Sequence, residues 1–178
     1  MMAVEAASGR RRVAALGWDY LLIVGWLALL AGSYLLGLRP LGWLAGAPLI
    51  VADLAITGLT VLPVWVYLLV TEAGTAQATW GKRRAGLILT AAGGGRAGLV
   101  RVMARNAVKL LPWELAHLAV LRLWTGKGDS AVVVPSLVLC YGLVGVTVAL
   151  VLSRGDRAAL HDLVAGTRVV TGSRAADS

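Results

Sequence analysis

The stretch that decides the fold runs from Arg10 to Leu30 and reads RRRVAALGWDYLLIVGWLALL. Its apolar part extends to about Leu38, which is enough to cross a hydrocarbon core, because a crossing helix needs roughly 20 residues. The run also carries a carboxylate, Asp19, near its start. Burying an unpaired carboxylate is costly, so Asp19 needs a partner or a function, unless it lies solvated at the membrane interface.

The composition of the whole chain indicates an integral membrane protein. Of its 178 residues, 58% are hydrophobic and 15% are charged, and the mean hydropathy is +0.79. This balance excludes an ordinary soluble domain. The first apolar run is longer than the hydrophobic region of a signal peptide, and further apolar segments follow it. We therefore predict an all-α membrane protein.

Four apolar stretches are candidates to cross the membrane, and we expect them to form a four-helix transmembrane bundle. They cover residues 17–38, 48–70, 107–124 and 132–152. The third is the weakest, because it contains Lys109, Glu114, His117 and Arg122. Its alternative is an amphipathic helix that lies on the membrane surface over residues 98–124, which would leave three spans.

The predicted domain covers residues 14–172. It follows an N-terminal arm of residues 1–13 and precedes a disordered tail of residues 173–178. Within the domain, residues 86–90 (GLILT) and 166–171 (GTRVVT) are short β-type runs. An isolated strand would leave its backbone groups unsatisfied, so we expect the two runs to pair as a small two-stranded element.

The basic residues predict the topology. Three of the 17 Lys and Arg residues precede the first span, seven lie between the second and third, and four follow the fourth. The positive-inside tendency places all three segments in the cytoplasm, together with both termini and the β element. The number of crossings is then even, which favours four spans over three. The net charge of +8 is explained by this topology and by contact with the lipid bilayer and its anionic headgroups, so we expect no nucleic-acid partner.

Three blocks of sequence, each beside a predicted span, resemble the RDD family of small bacterial membrane proteins. They are RRRVAALGWD (residues 10–19), QATWGKRRAGLIL (77–89) and RAALHDLVAGTRVV (157–170). Trp80 and Leu163 depart from the family pattern, which usually has an aliphatic and a basic residue there. The resemblance implies a multi-pass protein of the bacterial inner membrane. It also implies transport, because the family has been proposed to transport unidentified ligands.

We expect the charges of these blocks to clamp the cytoplasmic segments onto the first helix. Asp19 is predicted to pair with Lys82 or Arg83, with Arg105 as the second choice, and Arg12 is predicted to pair with Asp162. Glycines of the second and third blocks are expected to permit tight turns or close backbone approach. The family signature and the charge clamp together comprise Arg12, Asp19, Gly81, Lys82, Arg83, Gly86, Arg105, His161, Asp162, Gly166 and Thr167.

Glu114 and His117 are three residues apart and share one helix face, where they are candidates to relay protons or to bind a cation. Asp19 and Asp53 are further transport candidates, although Asp53 is more often a solvated interface residue. The sequence contains no zinc-hydrolase, nucleophile-elbow, Walker or dinucleotide motif, and it has one cysteine and two histidines. We therefore expect no enzyme activity, no cofactor and no metal site.

Two functions remain open from the sequence. The first is transport of a small ion or solute, coupled to protons or cations. A bundle of only four helices rarely encloses a permeation path on its own. Transport would therefore require a homo-oligomer. The second is a non-transporting accessory or scaffold protein that docks a partner.

Overall fold

The computed structural model of the protein describes residues 7–38, 46–126 and 130–172. A π-helical segment, Thr57–Val61, joins the second and third helices. The helices are α1 (Gly9–Leu35), α2 (Leu49–Ile56), α3 (Leu62–Ala73), α4 (Trp80–Arg84), α5 (Leu99–Trp124), α6 (Ser130–Ser153) and α7 (Leu160–Ala165), and the strands are β1 (Leu87–Ala91) and β2 (Thr167–Thr171). The predicted tail of residues 173–178 lies outside the described residues. Part of the predicted N-terminal arm is helical, because residues 9–13 already belong to α1.

Three helices of the described chain are long and apolar enough to cross a membrane. They are Gly9–Leu35, Leu49–Ala73 and Ala131–Ser153. Large apolar side chains such as Leu29, Leu54 and Val138 are more than 60% exposed on these helices, which suits contact with lipid. The predicted four-helix transmembrane bundle is thus supported for three helices. The fourth candidate, α5, is 26 residues long but does not meet the same criterion.

Pro63 explains an irregularity in the second of these helices. Proline has no backbone N–H, so the carbonyl of Leu59 loses its usual helical partner. The Nε1 of Trp26 on α1 donates a hydrogen bond to that carbonyl at 2.8 Å. The π-helical segment Thr57–Val61 lies directly before the proline. The proline therefore frees a carbonyl that ties α1 to the second span.

The two β-type runs pair as predicted. β1 and β2 form an antiparallel two-stranded sheet with Leu87 opposite Thr171 and Ala91 opposite Thr167. Alternate residues point to one face, so Leu87, Leu89 and Val169 are buried together. This small core also includes Val102 of α5.

Helix α5 runs antiparallel to the helix formed by α2, the π-helical segment and α3. Arg122 near the end of α5 contacts Asp53 of α2, whereas Arg105 near its start contacts Glu72 of α3. The two contacts on α5 are separated by about 25 Å at the helical rise of 1.5 Å per residue. We call the end of the molecule at Glu72 and Arg105, where α4, α7 and the sheet also lie, the charged end.

Candidate functional site

Asp19 of α1 is buried at the charged end, with 6% of its surface exposed. Its Oδ1 accepts hydrogen bonds from the Tyr67 hydroxyl at 2.9 Å and the Gly81 amide at 2.8 Å. Its Oδ2 accepts one from the Thr79 hydroxyl at 2.6 Å. Three neutral donors therefore satisfy this carboxylate, and it is not the solvated interface residue that the sequence left open.

The predicted pairing of Asp19 with Lys82 or Arg83, or with Arg105 as second choice, is wrong. The α4 helix places its amino end, rather than its cations, against α1. A Cβ on Gly81 would lie 2.1 Å from the carbonyl oxygen of Ala15, so only glycine permits this approach. Lys82 turns to another partner, and Arg83 is exposed.

Glu72, at the end of α3, is the partner that the sequence reasoning missed. Its side chain is fully buried. It accepts a hydrogen bond from the Lys82 ammonium and two from Nη1 of Arg105, at 3.1 Å to each carboxylate oxygen. A signal was available, because Glu72 is the only acidic residue between Asp53 and Glu114, in a stretch that holds seven basic residues.

Arg105 connects Glu72 to the third family block. Its Nε donates to Oδ1 of Asp162 at 3.0 Å. Asp162 also accepts hydrogen bonds from the Thr167 hydroxyl and the Ala159 amide, each at 3.2 Å. One guanidinium thus holds α3 and α7 against α5 at the charged end.

The predicted contact between Arg12 and Asp162 is confirmed. Arg12 Nη1 lies 3.8 Å from Asp162 Oδ2. The shorter bonds of this guanidinium go to backbone carbonyls, from Nη1 to Arg157 at 2.8 Å and from Nη2 to Val169 at 3.1 Å. Arg12 therefore ties the first turns of α1 to the chain around α7 and β2.

Burial and charge determine protonation around this cluster. Burial lowers the pKa of Lys82 to about 8, although the Glu72 carboxylate opposes this. Burial alone would raise the pKa of Asp162, but the surrounding positive charges, Arg105 first among them, together outweigh burial and lower the pKa to about 2. Burial and then Arg105 lower the pKa of His161 to about 3. His161 is therefore neutral at pH 7 beside an ionised Asp162.

The remaining signature residues shape the backbone. Gly166 ends α7 in the left-handed conformation, with a φ of +60°, which favours glycine. The carbonyl of Gly86 accepts a hydrogen bond from the Gly172 amide at 2.9 Å and so extends the β pairing. With Arg12, Asp19, Lys82 and Asp162, these residues lie at the charged end, so the structure brings most of the predicted set together.

A second polar group lies away from the charged end, between the π-helical segment and α5. The Thr57 hydroxyl donates to Oε1 of Glu114 at 2.5 Å. Oε2 of Glu114 and Nδ1 of His117 are buried and have no hydrogen-bond partner within the described residues. We call Thr57, Glu114 and His117 the central polar site. π-Helical turns are frequent at functional sites.

Asp53 lies beyond the central polar site, near the end of α5. Its two carboxylate oxygens accept hydrogen bonds from Nη1 and Nη2 of Arg122, at 3.1 and 3.0 Å. Its side chain is only 10% exposed. The interpretation of Asp53 as a solvated interface residue is therefore wrong, because a bidentate partner holds it.

Comparison with known proteins agrees with these features. The model of the RDD family matches residues 6–166. The chain belongs to the RDD family. No curated protein and no solved structure matches it. With its apolar helices, this RDD protein is a membrane protein.

Proposed function

We propose that this RDD protein transports a small ion or solute, coupled to protons or cations, through the central polar site. The observation that carries the proposal is the Oε2 of Glu114, which is buried and has no hydrogen-bond partner among the described residues. Burying a polar group without a partner is unfavourable. A proton or a cation bound between Glu114 and His117 would satisfy both groups.

The proposal requires α5 to cross the membrane as a fourth span. Support comes from its contacts, because α5 lies beside the second span from Asp53 to Glu72. Along α5, Glu114 is about 13 Å from Arg105 and about 12 Å from Arg122, at the rise of an α-helix. It would then lie near the middle of the bilayer, where ionisable residues mark ion and proton pathways.

We place the charged end in the cytoplasm of a bacterial cell, with both termini on that side of the inner membrane. The distribution of basic residues supports this orientation. Arg84 lies over the rings of Trp18 and Trp80, with 4.9 and 4.6 Å from its guanidinium carbon to the ring centres. This arrangement fits a position at the membrane–water interface, near anionic lipid headgroups. The transporter would assemble as a homo-oligomer.

Flux in proteoliposomes tests the proposal. Purified protein would be reconstituted, and cation flux and the internal pH would be followed under sodium, potassium and pH gradients. We expect flux in the wild type, and at least about tenfold less flux in Glu114→Gln. Asp156→Asn, which removes a carboxylate from the loop after α6, is the matched control and should keep wild-type flux. Equal flux in Glu114→Gln, His117→Gln and the wild type would refute the assignment.

The charged end favours the second candidate function, an accessory or scaffold protein. There, Lys82, Arg105 and Arg12 already have partners within the chain, so a purely structural role explains them. A folded monomer in lipid that moves no ion would favour that function over transport. Neither function requires a catalytic residue or a cofactor.

A further inference from the structure

A cavity of about 320 Å³ lies among the helices beside the charged end. Helices α1, α3, α5 and α6 form its walls, and Leu160 and His161 of α7 close it at the charged end. Most of its lining is apolar, including Ile23, Val64 and Val144. Glu114 and His117 do not line it, so the cavity is separate from the central polar site.

Lys109 supplies a positive charge where the cavity meets the charged end of the molecule. It lies one helical turn after Arg105 and lines the cavity together with His161 and Asp19. Its ammonium group makes no hydrogen bond or ion pair in the part of the chain that the structure describes. Arg12, Lys82 and Arg105, by contrast, each contact a carboxylate.

The charged end holds more cations than carboxylates, so the positive charge of Lys109 is not neutralised. The carboxylates near it are Glu72, Asp162 and Asp19. Glu72 and Asp162 already have cationic partners. Asp19 also lines the cavity, but these three carboxylates stand against four cations, Arg12, Lys82, Arg105 and Lys109, so one positive charge remains in excess. His161 is neutral at pH 7, because burial and then Arg105 lower its pKa. An excess cation at the end of an apolar cavity is suited to an anion with an apolar body.

We infer that this cavity binds an amphiphile with one alkyl chain and an anionic head, of the medium-chain carboxylate class. The head contacts the ammonium of Lys109, and the chain lies among the apolar walls. The cavity volume is near the lower limit of small-molecule sites, which span about 300–1,000 Å³. It therefore accepts one short chain rather than the two chains of a phospholipid. Along the second span the lining extends from Leu68 to Thr60, about 12 Å at helical rise.

The test compares decanoate with decanol, which has the same chain and no charge. Each would carry a bromine at the end of the chain, and binding would be measured as the quenching that the wild type shows beyond Trp113→Phe, because the chain has seven tryptophans and Trp113 lines the cavity. The protein would be held in nanodiscs of zwitterionic lipid, with empty nanodiscs as the blank. In the wild type we expect the carboxylate to bind at least about tenfold more tightly than the alcohol, as a charge-assisted contact provides.

The variants separate the charge from the cavity. Lys109→Met should lose the preference for the carboxylate and keep the affinity for the alcohol, while Lys109→Arg should keep the preference. Arg101→Gln removes an exposed cation two turns earlier on α5 and should behave like the wild type. Val144→Trp, which fills the cavity, should weaken both ligands at least about tenfold.

Several outcomes would overturn the inference. Equal affinity of the wild type for decanoate and decanol would do so, as would a carboxylate preference that survives Lys109→Met. Unchanged binding in Val144→Trp would place the ligand elsewhere. Native mass spectrometry that shows a two-chain anionic phospholipid bound one to one, and released by Lys109→Met, would assign the cavity to a bilayer lipid instead. The test needs no flux, so it fails or succeeds independently of the transport proposal.

Discussion

The charged end and the central polar site both join α5 to the second span through a carboxylate, but the two carboxylates differ in how fully they are paired. At the charged end, both oxygens of Glu72 accept hydrogen bonds from Arg105, and Lys82 adds another. At the central polar site, one oxygen of Glu114 accepts a bond from Thr57 and the other has no partner among the described residues. A fully paired carboxylate holds segments in place, whereas one with an unpaired oxygen has capacity for a ligand or a proton.

The largest effect on stability is expected from Arg105→Gln, at the centre of the charged end. The change leaves Asp162 and Glu72 without their main cation. Removing one partner of a buried pair typically costs about 3–5 kcal/mol, because the other charge stays buried. The melting temperature in detergent should fall sharply. The control Arg101→Gln, on the exposed face of the same helix, should melt like the wild type. Equal melting temperatures for the two variants would contradict the network.

A smaller but clear loss is expected from Gly81→Ala. The added Cβ would meet the carbonyl oxygen of Ala15 at 2.1 Å and Cγ of Asp19 at 2.8 Å, so α4 must move away from α1. Overpacking of this kind costs about 1–3 kcal/mol. Gly93→Ala is the matched control, since a Cβ there has no neighbour within 4 Å. The contact between α1 and α4 would be refuted if both variants melted at the wild-type temperature.

The smallest effect is a pH dependence that arises from His161. Its pKa in the folded protein is lowered to about 3, whereas in the unfolded chain it is about 6.5. Between these values the unfolded state binds the proton, so stability falls as the pH decreases below about 6.5. Melting temperatures measured from pH 7 to pH 6 should therefore decline slightly, since the loss of stability over this range is less than about 1 kcal/mol, and His161→Gln should decline less. Identical slopes would exclude His161 as the cause.

Much of the fold could be predicted from the sequence because it depends on local patterns. Long apolar runs predicted the long helices. Two β-type runs on the same side of the membrane in the predicted topology indicated the sheet. Helix boundaries were less accurate. The predicted spans begin at residues 17 and 107, whereas α1 begins at Gly9 and α5 at Leu99. The added turns are rich in charged residues, so an apolar pattern does not reveal them. For α5 the sequence predicts a span that length and composition alone do not support.

The pairing of charges could not be predicted in full, because it depends on how the segments pack. The sequence predicts that Asp19 and Lys82 lie on the same side of the membrane, but not that α4 approaches α1 by its amino end. Because of this approach, Asp19 accepts hydrogen bonds from neutral donors, and Lys82 pairs with Glu72 instead. The pairing of Asp53 with Arg122 could not be predicted either, because it depends on the packing of α5 beside α2. The contact between Arg12 and Asp162 was predictable because both residues belong to family blocks at one end.

Flux and melting temperature of Glu114→Gln, measured on the same preparation, test most directly the claim that the central polar site is functional and the charged end is structural. Glutamine keeps the oxygen that accepts the hydrogen bond from Thr57, so the fold should survive. We predict a melting temperature close to that of the wild type and at least about tenfold less flux in proteoliposomes. A variant that melts well below the wild type but keeps full flux when folded would contradict the account.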